Sequence, residues 1–379
     1  MARRYYLVCI FFVLIFPMLL SYIAKRGSIP IGRNLGSKTI RSTRSFSIYS
    51  STSAKSGGNS SKSFGTSAST PTPSSTSSSA ATNYDNSIHS LKNYDVAVAY
   101  QPKDREESNL FKKKNNNKRS PALESPTGED NLFVSKQFDD GYITLGVADG
   151  VGGWSEAGYD SSAISRELCA SMKSKFESLT DRSNLSPKQL LTFAFEEITN
   201  SSKVEIGGTT ACLGILTPDK KLKVANLGDS WCGLFRNYQL INETNFQTHN
   251  FNTPYQLAKI PRQIVRQAEI EGRRYIIDSP SMADEYEWDL QKGDVIMFAT
   301  DGVTDNVIPK DIEIFLKDQI EGQGDSLKNV ANSFVKEVVK VSKDPNFPSA
   351  FAQELSRLTG QKYLGGKADD ITIVLVRVQ

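Results

Sequence analysis

Three largely apolar runs in this chain stop or start on aspartate. YITLGVA (142–148) gives way to Asp149, DVIMFAT (294–300) to Asp301, and ITIVLVRV (371–378) follows directly on Asp369 and Asp370. Runs of this length bounded by turn signals read as buried strands. A charge at the end of such a strand must face water, a counter-ion or another group brought there by the fold. A fourth run, NLFVSK (131–136), is preceded by Glu129 and Asp130 and joined to 142–148 through FDDG, a hairpin signal. In an antiparallel pair the start of one strand lies beside the end of its partner, so Glu129, Asp130 and Asp149 converge on one edge. If 294–300 and 371–378 are antiparallel neighbours, Asp301, Asp369 and Asp370 meet at an edge as well. Thr209, at the start of TTACLGIL (209–216), is placed to join them.

Amphipathic helices separate these strands. SSAISRELCASMKSKFESL (161–179) spaces Ile164, Leu168, Met172 and Phe176 four apart, and SPKQLLTFAFEEI (186–198) opens on a Ser N-cap with Pro at the first helical position. KLKVANL (221–227) and WCGLFR (231–236) read as strands joined through Gly228 and Asp229, and further helices are expected at 309–320, 325–343 and 349–358. Asp229 and the KGD at 292–294 read as turn residues. Strands and helices in this order, without regular alternation, predict an α+β fold of mostly antiparallel sheets with helices packed outside.

The N-terminus is another kind of sequence. After a basic tip at 1–4, residues 5–24 are almost wholly apolar, and at about 1.5 Å per residue such a helix spans roughly the 30 Å of a bilayer core. It reads as a transmembrane signal anchor, in preference to a cleaved signal peptide, whose apolar region runs to about 7–15 residues. Lys25, Arg26, Arg33 and Lys38 outweigh Arg3 and Arg4, which places the bulk of the chain on the cytoplasmic side of a nuclear-envelope or ER membrane. RNLGSKTIRSTRSFSIYSS (33–51), however, has the composition of a mitochondrial transit peptide, so two addresses stand side by side. Residues 25–95 form a basic Ser/Thr-rich linker that cannot bury enough apolar surface to fold, 96–120 a transition segment, and 121–379 the globular part.

Charge and composition exclude several functions. Residues 1–83 carry ten basic groups and no acid, which leaves 35 basic against 42 acidic residues in the remainder. A net acidic globular part argues against nucleic-acid binding. Cys9, Cys169, Cys212 and Cys232 form no CxxC pair and read as free thiols or small hydrophobes. With only His89 and His249, zinc sites and Ser-His-Asp catalysis lack material.

Carboxylates gathered at one edge repel unless cations hold them. Oxygen ligands without nearby His or Cys point to hard ions, Mg²⁺ or Mn²⁺. Two such ions about 3.5–4 Å apart generate a hydroxide and clamp a phosphoryl group. Singly, each motif is weak, since Asp-Gly after a strand is usually a turn. The glycines of GVADGVGGW (146–154) do not make a dinucleotide cradle either, because Ser155 stands where that motif needs Gly. Only the joint pattern favours metal.

GED (128–130), VADGVGGW (147–154), GGTTA (207–211), ANLGDS (225–230), ATDGVTDN (299–306) and GGKADDIT (365–372) resemble, in order, the motifs of metal-dependent PPM-type (type 2C) protein serine/threonine phosphatases. The resemblance covers about residues 121–379, and DGVGGW, FNTPYQL (251–257) and DPNFPSAFAQE (344–354) are similar to the mitochondrial branch. It implies an α-β-β-α sandwich with a two-metal centre at one edge of the sheets. It further implies that Asp149 bridges both metals, Gly150 lends its carbonyl, and Asp301 and Asp369 ligate one ion. Glu129 and Asp130 would act through metal-bound waters, and Asp305 would help hold a third, weaker ion. Thr209 and Asp370 complete the candidate catalytic set. The implied reaction is attack of a metal-bound hydroxide on phosphoserine or phosphothreonine of phosphoprotein substrates.

Two departures stand out. Many family members carry His after the Asp-Gly as an acid for the leaving alcohol; here it is Val151. Many carry a phosphate-binding Arg just before the Glu-Asp pair; ESPT (124–127) has none, and the nearest basic residues are Lys118 and Arg119, so the substrate-binding residue is unassigned. These departures keep open a second reading, a membrane-tethered pseudophosphatase that binds phosphoproteins without useful turnover. A two-metal nuclease fits the chemistry but not the acidic domain.

Overall fold

The computed structural model describes residues 91–105 and 125–379. The expected membrane helix at 5–24, the linker up to residue 90, and Lys118 and Arg119 lie outside the described residues. No helix among the described residues is long and apolar enough to cross a membrane. In chain order the strands are β1 (Tyr94–Gln101), β2 (Asp130–Val134), β3 (Ile143–Asp149), β4 (Gly207–Thr209), β5 (Ala211–Leu216), β6 (Lys221–Leu227) and β7 (Trp231–Arg236). They continue as β8 (Gln239–Glu243), β9 (Thr248–Asn250), β10 (Thr253–Pro254), β11 (Leu257–Lys259), β12 (Asp284–Asp289), β13 (Val295–Ala299) and β14 (Ile371–Val378).

Ten of these strands form two five-stranded sheets, ordered β1-β14-β13-β7-β8 and β12-β6-β5-β3-β2, with antiparallel pairing throughout. The sheets stack face to face with helices outside, which follows from how each strand divides its side chains. On β14, Ile371, Ile373 and Leu375 join the apolar layer under the helices Pro309–Leu316 and Leu327–Ser342. Val374, Val376 and Val378 join the layer between the sheets, with Leu145, Val147 and Leu222. Both faces of β14 are therefore buried, and ITIVLVRV shows no polar alternation for that reason. On the other side, Phe133, Leu213 and Ile215 meet the helix Ser162–Ser178 through Ile164, Leu168, Met172 and Phe176. Cys169, Cys212 and Cys232 are free and buried, and act as small hydrophobes.

The helix Pro187–Asn200 starts as its sequence requires. Ser186 Oγ accepts from Gln189 N at 3.2 Å, and Gln189 Oε1 accepts from Ser186 N at 2.9 Å. This reciprocal cap contributes about 1 kcal/mol, so Ser186→Ala is expected to lower stability by about that much, read as a shift in the denaturation midpoint.

One boundary is corrected. The globular part was expected to begin at 121, yet β1 pairs with β14 along its whole length, from Tyr94 with Val378 to Gln101 with Ile371. The strand was missed because its partner is the far end of the chain and its neighbours are linker-like. FNTPYQL falls in a small excursion in which β9 pairs with β10 and β11 pairs with β4.

Candidate metal centre

Strand register brings the acids together. Asp130 is the direct partner of Asp149 across β2 and β3. Ala299 faces Ile373 on one side and Trp231 on the other, so Asp301, the pair Asp369–Asp370 and Asp229 all emerge at the same end of that sheet. The sheets are tied at this end by Thr300 Oγ1, which donates to Asp130 Oδ2 at 2.8 Å. Two expected edges thus become one site.

Asp149 is held through its main chain. Its N donates to Thr210 Oγ1 at 3.1 Å, and its carbonyl accepts from Thr209 Oγ1 and Thr210 N, each at 2.9 Å. Thr209 therefore positions Asp149 and does not itself reach among the carboxylates. Gly150 N donates to Glu129 O at 3.1 Å, and a Cβ here would stand 2.5 Å from Ser161 O and 2.6 Å from Glu129 O. Only glycine fits this corner. Glu129 Oε1 accepts from Ser155 Oγ at 2.8 Å and Ser161 Oγ at 2.6 Å, which fixes its direction.

Among the described residues three cations stand with these acids, and the sequence alone singles out none of them. Lys103 Nζ lies 2.9 Å from Asp369 Oδ1 and 3.3 Å from Glu129 Oε2. Arg105 grips Asp370 with both Nη atoms, at 3.1 and 2.6 Å, and its Nη2 is 3.0 Å from Glu129. Lys367 Nζ is 2.8 Å from Asp301 Oδ2 and 3.4 Å from Asp369 Oδ2, and it also bonds Asp305 Oδ2. Asp370 further accepts from Lys103 N and Glu129 N, each at 2.8 Å. Four donors fill a carboxylate's capacity, so Asp370 organises Arg105 and Glu129 and offers no free lone pair.

The charge does not balance. Among the described residues, Glu129, Asp130, Asp149, Asp229, Asp301, Asp305, Asp369 and Asp370 face only Lys103, Arg105 and Lys367. Burial first, and then Asp370, pushes the Asp130 carboxyl well above the usual carboxylate range. Burial and then Asp301, Asp130 and Asp369 do the same to Asp149. Asp229 rises through burial, Asp301 and Asp305, and Asp305 is pushed up to about 7 by burial and Asp301 against the pull of Lys367. Burial opposes ionisation of Asp369 too, but Lys367 and Lys103 outweigh it and hold that carboxyl low. Repulsion on this scale marks a site that gains from further positive charge.

Asp229 lies in the turn between β6 and β7, as expected, and that turn also carries it into the acidic group beside Asp301 and Asp305. Its Oδ1 is buried without a hydrogen-bond partner among the described residues. The β6–β7 connection crosses from one sheet to the other and delivers β7 beside β13, and that pairing is the signal that could have placed it. Among the described residues no group of three or more His, Cys, Asp or Glu side chains is already arranged to hold a metal ion. The donor set nonetheless fits hard divalent ions: all its ligating atoms are oxygens, one is orphaned, and the negative charge is in excess.

Comparison with known proteins finds relatives described as protein phosphatases. A family model described as Stage II sporulation protein E (SpoIIE) matches residues 139–379. "Protein phosphatase 2C homolog 7, mitochondrial" of Saccharomyces cerevisiae is 51% identical over 290 residues, covering 75% of this chain and 82% of the relative. "Protein phosphatase PTC7 homolog fig" of Drosophila willistoni is 37% identical over 257 residues, covering 66% of this chain and 77% of its own length. Among solved structures, the photosystem II phosphatase PBCP superposes with a TM-score of 0.58 at 25% identity, covering 76% of this chain and 99% of that one.

Proposed function

The chain belongs to the PPM-type (type 2C) protein phosphatases and is a protein serine/threonine phosphatase; from that premise we propose that its strand-end carboxylates hold two divalent ions, Mg²⁺ or Mn²⁺, where phosphoserine and phosphothreonine are hydrolysed. The observation that carries this reading is the uncompensated group of buried carboxylates around Asp149. Asp149, Asp301 and Asp369 would hold the ions, with the main-chain carbonyl of Gly150, and Glu129 and Asp130 would act through water. When bound, such ions make coordinated water more acidic and offset charge on the phosphoryl group.

The chain's own residues supply the rest. Lys103 and Arg105 stand at the rim, fixed on Asp369 and Asp370, and are the basic groups we assign to the substrate phosphate. They take the place of the Arg missing from ESPT. The Lys103 side chain keeps 30% of its surface exposed, which leaves ammonium hydrogens for a phosphate oxygen. Val151, whose N donates to Gly208 O at 2.8 Å, has no proton to give a leaving alcohol, so no side chain at that position serves as acid. Arg105→Ala is expected to lower kcat/KM roughly ten- to hundredfold, the scale of a lost charge-assisted hydrogen bond, while Mn²⁺ affinity changes little. Phosphopeptide kinetics with a parallel Mn²⁺ titration check both halves.

The reading is tested with the metal-stripped full chain and a phosphoserine peptide. Phosphate release should return on adding Mn²⁺ and fail to return in Asp301→Asn. Equal hydrolysis without metal overturns the reading, and tight phosphopeptide binding without turnover favours the pseudophosphatase. We place the protein in mitochondria, supported by the Arg- and Ser-rich, acid-free 33–51 segment and by the description of the yeast relative. Residues 1–90 fused to a reporter should direct it there.

A further inference from the structure

Lys367 differs from the other two cations in how firmly it is built in. Its N donates to Asn306 Oδ1 at 2.9 Å, and Asn306 Nδ2 donates back to Lys367 O at 2.8 Å. Asn306 is buried and also donates to Gly302 O at 2.9 Å, tying the lysine's main chain to the turn that carries Asp301. The preceding residues are pinned as well, Gly365 N on Phe347 O at 2.8 Å and Gly366 N on Asp344 O at 2.9 Å. The ammonium lies 5.5 Å from the centre of the Phe351 ring, and Phe351 N donates to Asp305 O at 2.8 Å. Main chain, aromatic wall and acid are thus all fixed relative to one another.

We propose that Lys367 is a tethered cation that fills the Asp301–Asp305–Asp369 end of the acidic group, so that the chain binds two divalent ions and excludes a third. The inference rests on the two-ion reading and revises the role expected for Asp305. Lys367 Nζ contacts one oxygen of each of these three carboxylates, leaving the other oxygen of Asp301 for the ions, while Asp369 Oδ1 accepts from Lys103 Nζ at 2.9 Å and Asp370 N at 3.0 Å. A divalent ion seated on the same three oxygens would need the position and lone pairs that the ammonium already occupies, and would have to displace it. The lysine side chain retains only 20% of its exposure, and its main chain is fixed by Asn306, so the ammonium can leave only by giving up its contacts with all three carboxylates and the Phe351 ring. An ammonium also cannot be removed by chelation. It holds Asp305 and Asp301 together in the metal-free protein as well.

The experiment counts ions without reading activity. Metal-stripped full chain is titrated with Mn²⁺, and free Mn²⁺ is followed by electron paramagnetic resonance. Wild type should take up two ions, Lys367→Met a further one, and Lys367→Arg no more than wild type. Asp305→Asn should remove the additional ion from Lys367→Met yet leave the wild-type count unchanged. An unchanged count in Lys367→Met, or a lower count in Asp305→Asn alone, overturns the tethered cation while leaving the two-ion reading intact. Absence of any bound Mn²⁺ in wild type overturns the two-ion reading and this inference with it. The Asp305→Asn arm keeps the test decisive if Lys367→Met does not fold.

Discussion

Asp149→Asn is expected to abolish phosphopeptide hydrolysis while leaving the metal-free fold at least as stable as wild type. Asp149 is secured by its main chain, through Thr209 and Thr210, and Asn preserves those bonds. The carboxylate itself is a burden in the metal-free protein, since burial and the neighbouring Asp301, Asp130 and Asp369 push its pKa up. The sign follows directly. A folded-state pKa above the unfolded value near ~3.9 means that the folded form binds more protons, so metal-free stability falls as pH rises through that window. Asn cannot ionise and removes this cost. In EDTA at neutral pH the variant should therefore melt at or above wild type, and the difference should close on acidification. In Mn²⁺ the order reverses, because only wild type gains binding free energy, about 4 kcal/mol at a thousandfold excess over Kd. Loss of a group that organises charge stabilisation lowers kcat by on the order of a thousandfold. A variant that is less stable without metal yet still active contradicts this role.

Removing β1 is the second large effect. A chain beginning at residue 102 or at 121 should fail to fold, whereas one beginning at about residue 90 should melt cooperatively. β1 buries Tyr94, Val96 and Val98 between the sheets and Ala97 and Ala99 under the helices. Burying side chains of the Val or Tyr class contributes about 1.5–3 kcal/mol each. Three of them approach the whole margin of about 5–15 kcal/mol that a domain possesses. The same cut exposes the edge of β14, a long apolar strand and an aggregation hazard. Circular dichroism and melting of the two truncations decide the matter. A folded, active chain starting at 121 would show that β1 is an accessory.

How much of this was legible beforehand depends on the range of each interaction. The convergence of Glu129, Asp130 and Asp149 follows from one hairpin, and that of Asp301 and Asp369 from one antiparallel neighbour, so local pattern and strand polarity sufficed. The helix Ser162–Ser178 was legible from its four-residue spacing, since all four anchors face one core. β1 was not, because nothing near it in sequence reveals that its partner is the C-terminal strand. Lys103 and Arg105 were hidden for the same reason: they matter because Gln101 faces Ile371, one step from Asp370. Asp229 looks like any turn residue until its turn is seen to cross between the sheets and set β7 beside β13. Lys367 lay inside a recognised motif, but its role depends on three acids from two separate segments and on Asn306 holding its main chain.

The central claim is that these strand ends form a divalent-metal centre. The most direct measurement is an anomalous difference map from crystals of the protein grown with Mn²⁺ and recorded near the manganese edge. The account expects two peaks coordinated by Asp149, Asp301 and Asp369, with Lys367 still bonded to Asp305. Peaks held by other residues, or none at this edge of the sheets, would contradict it.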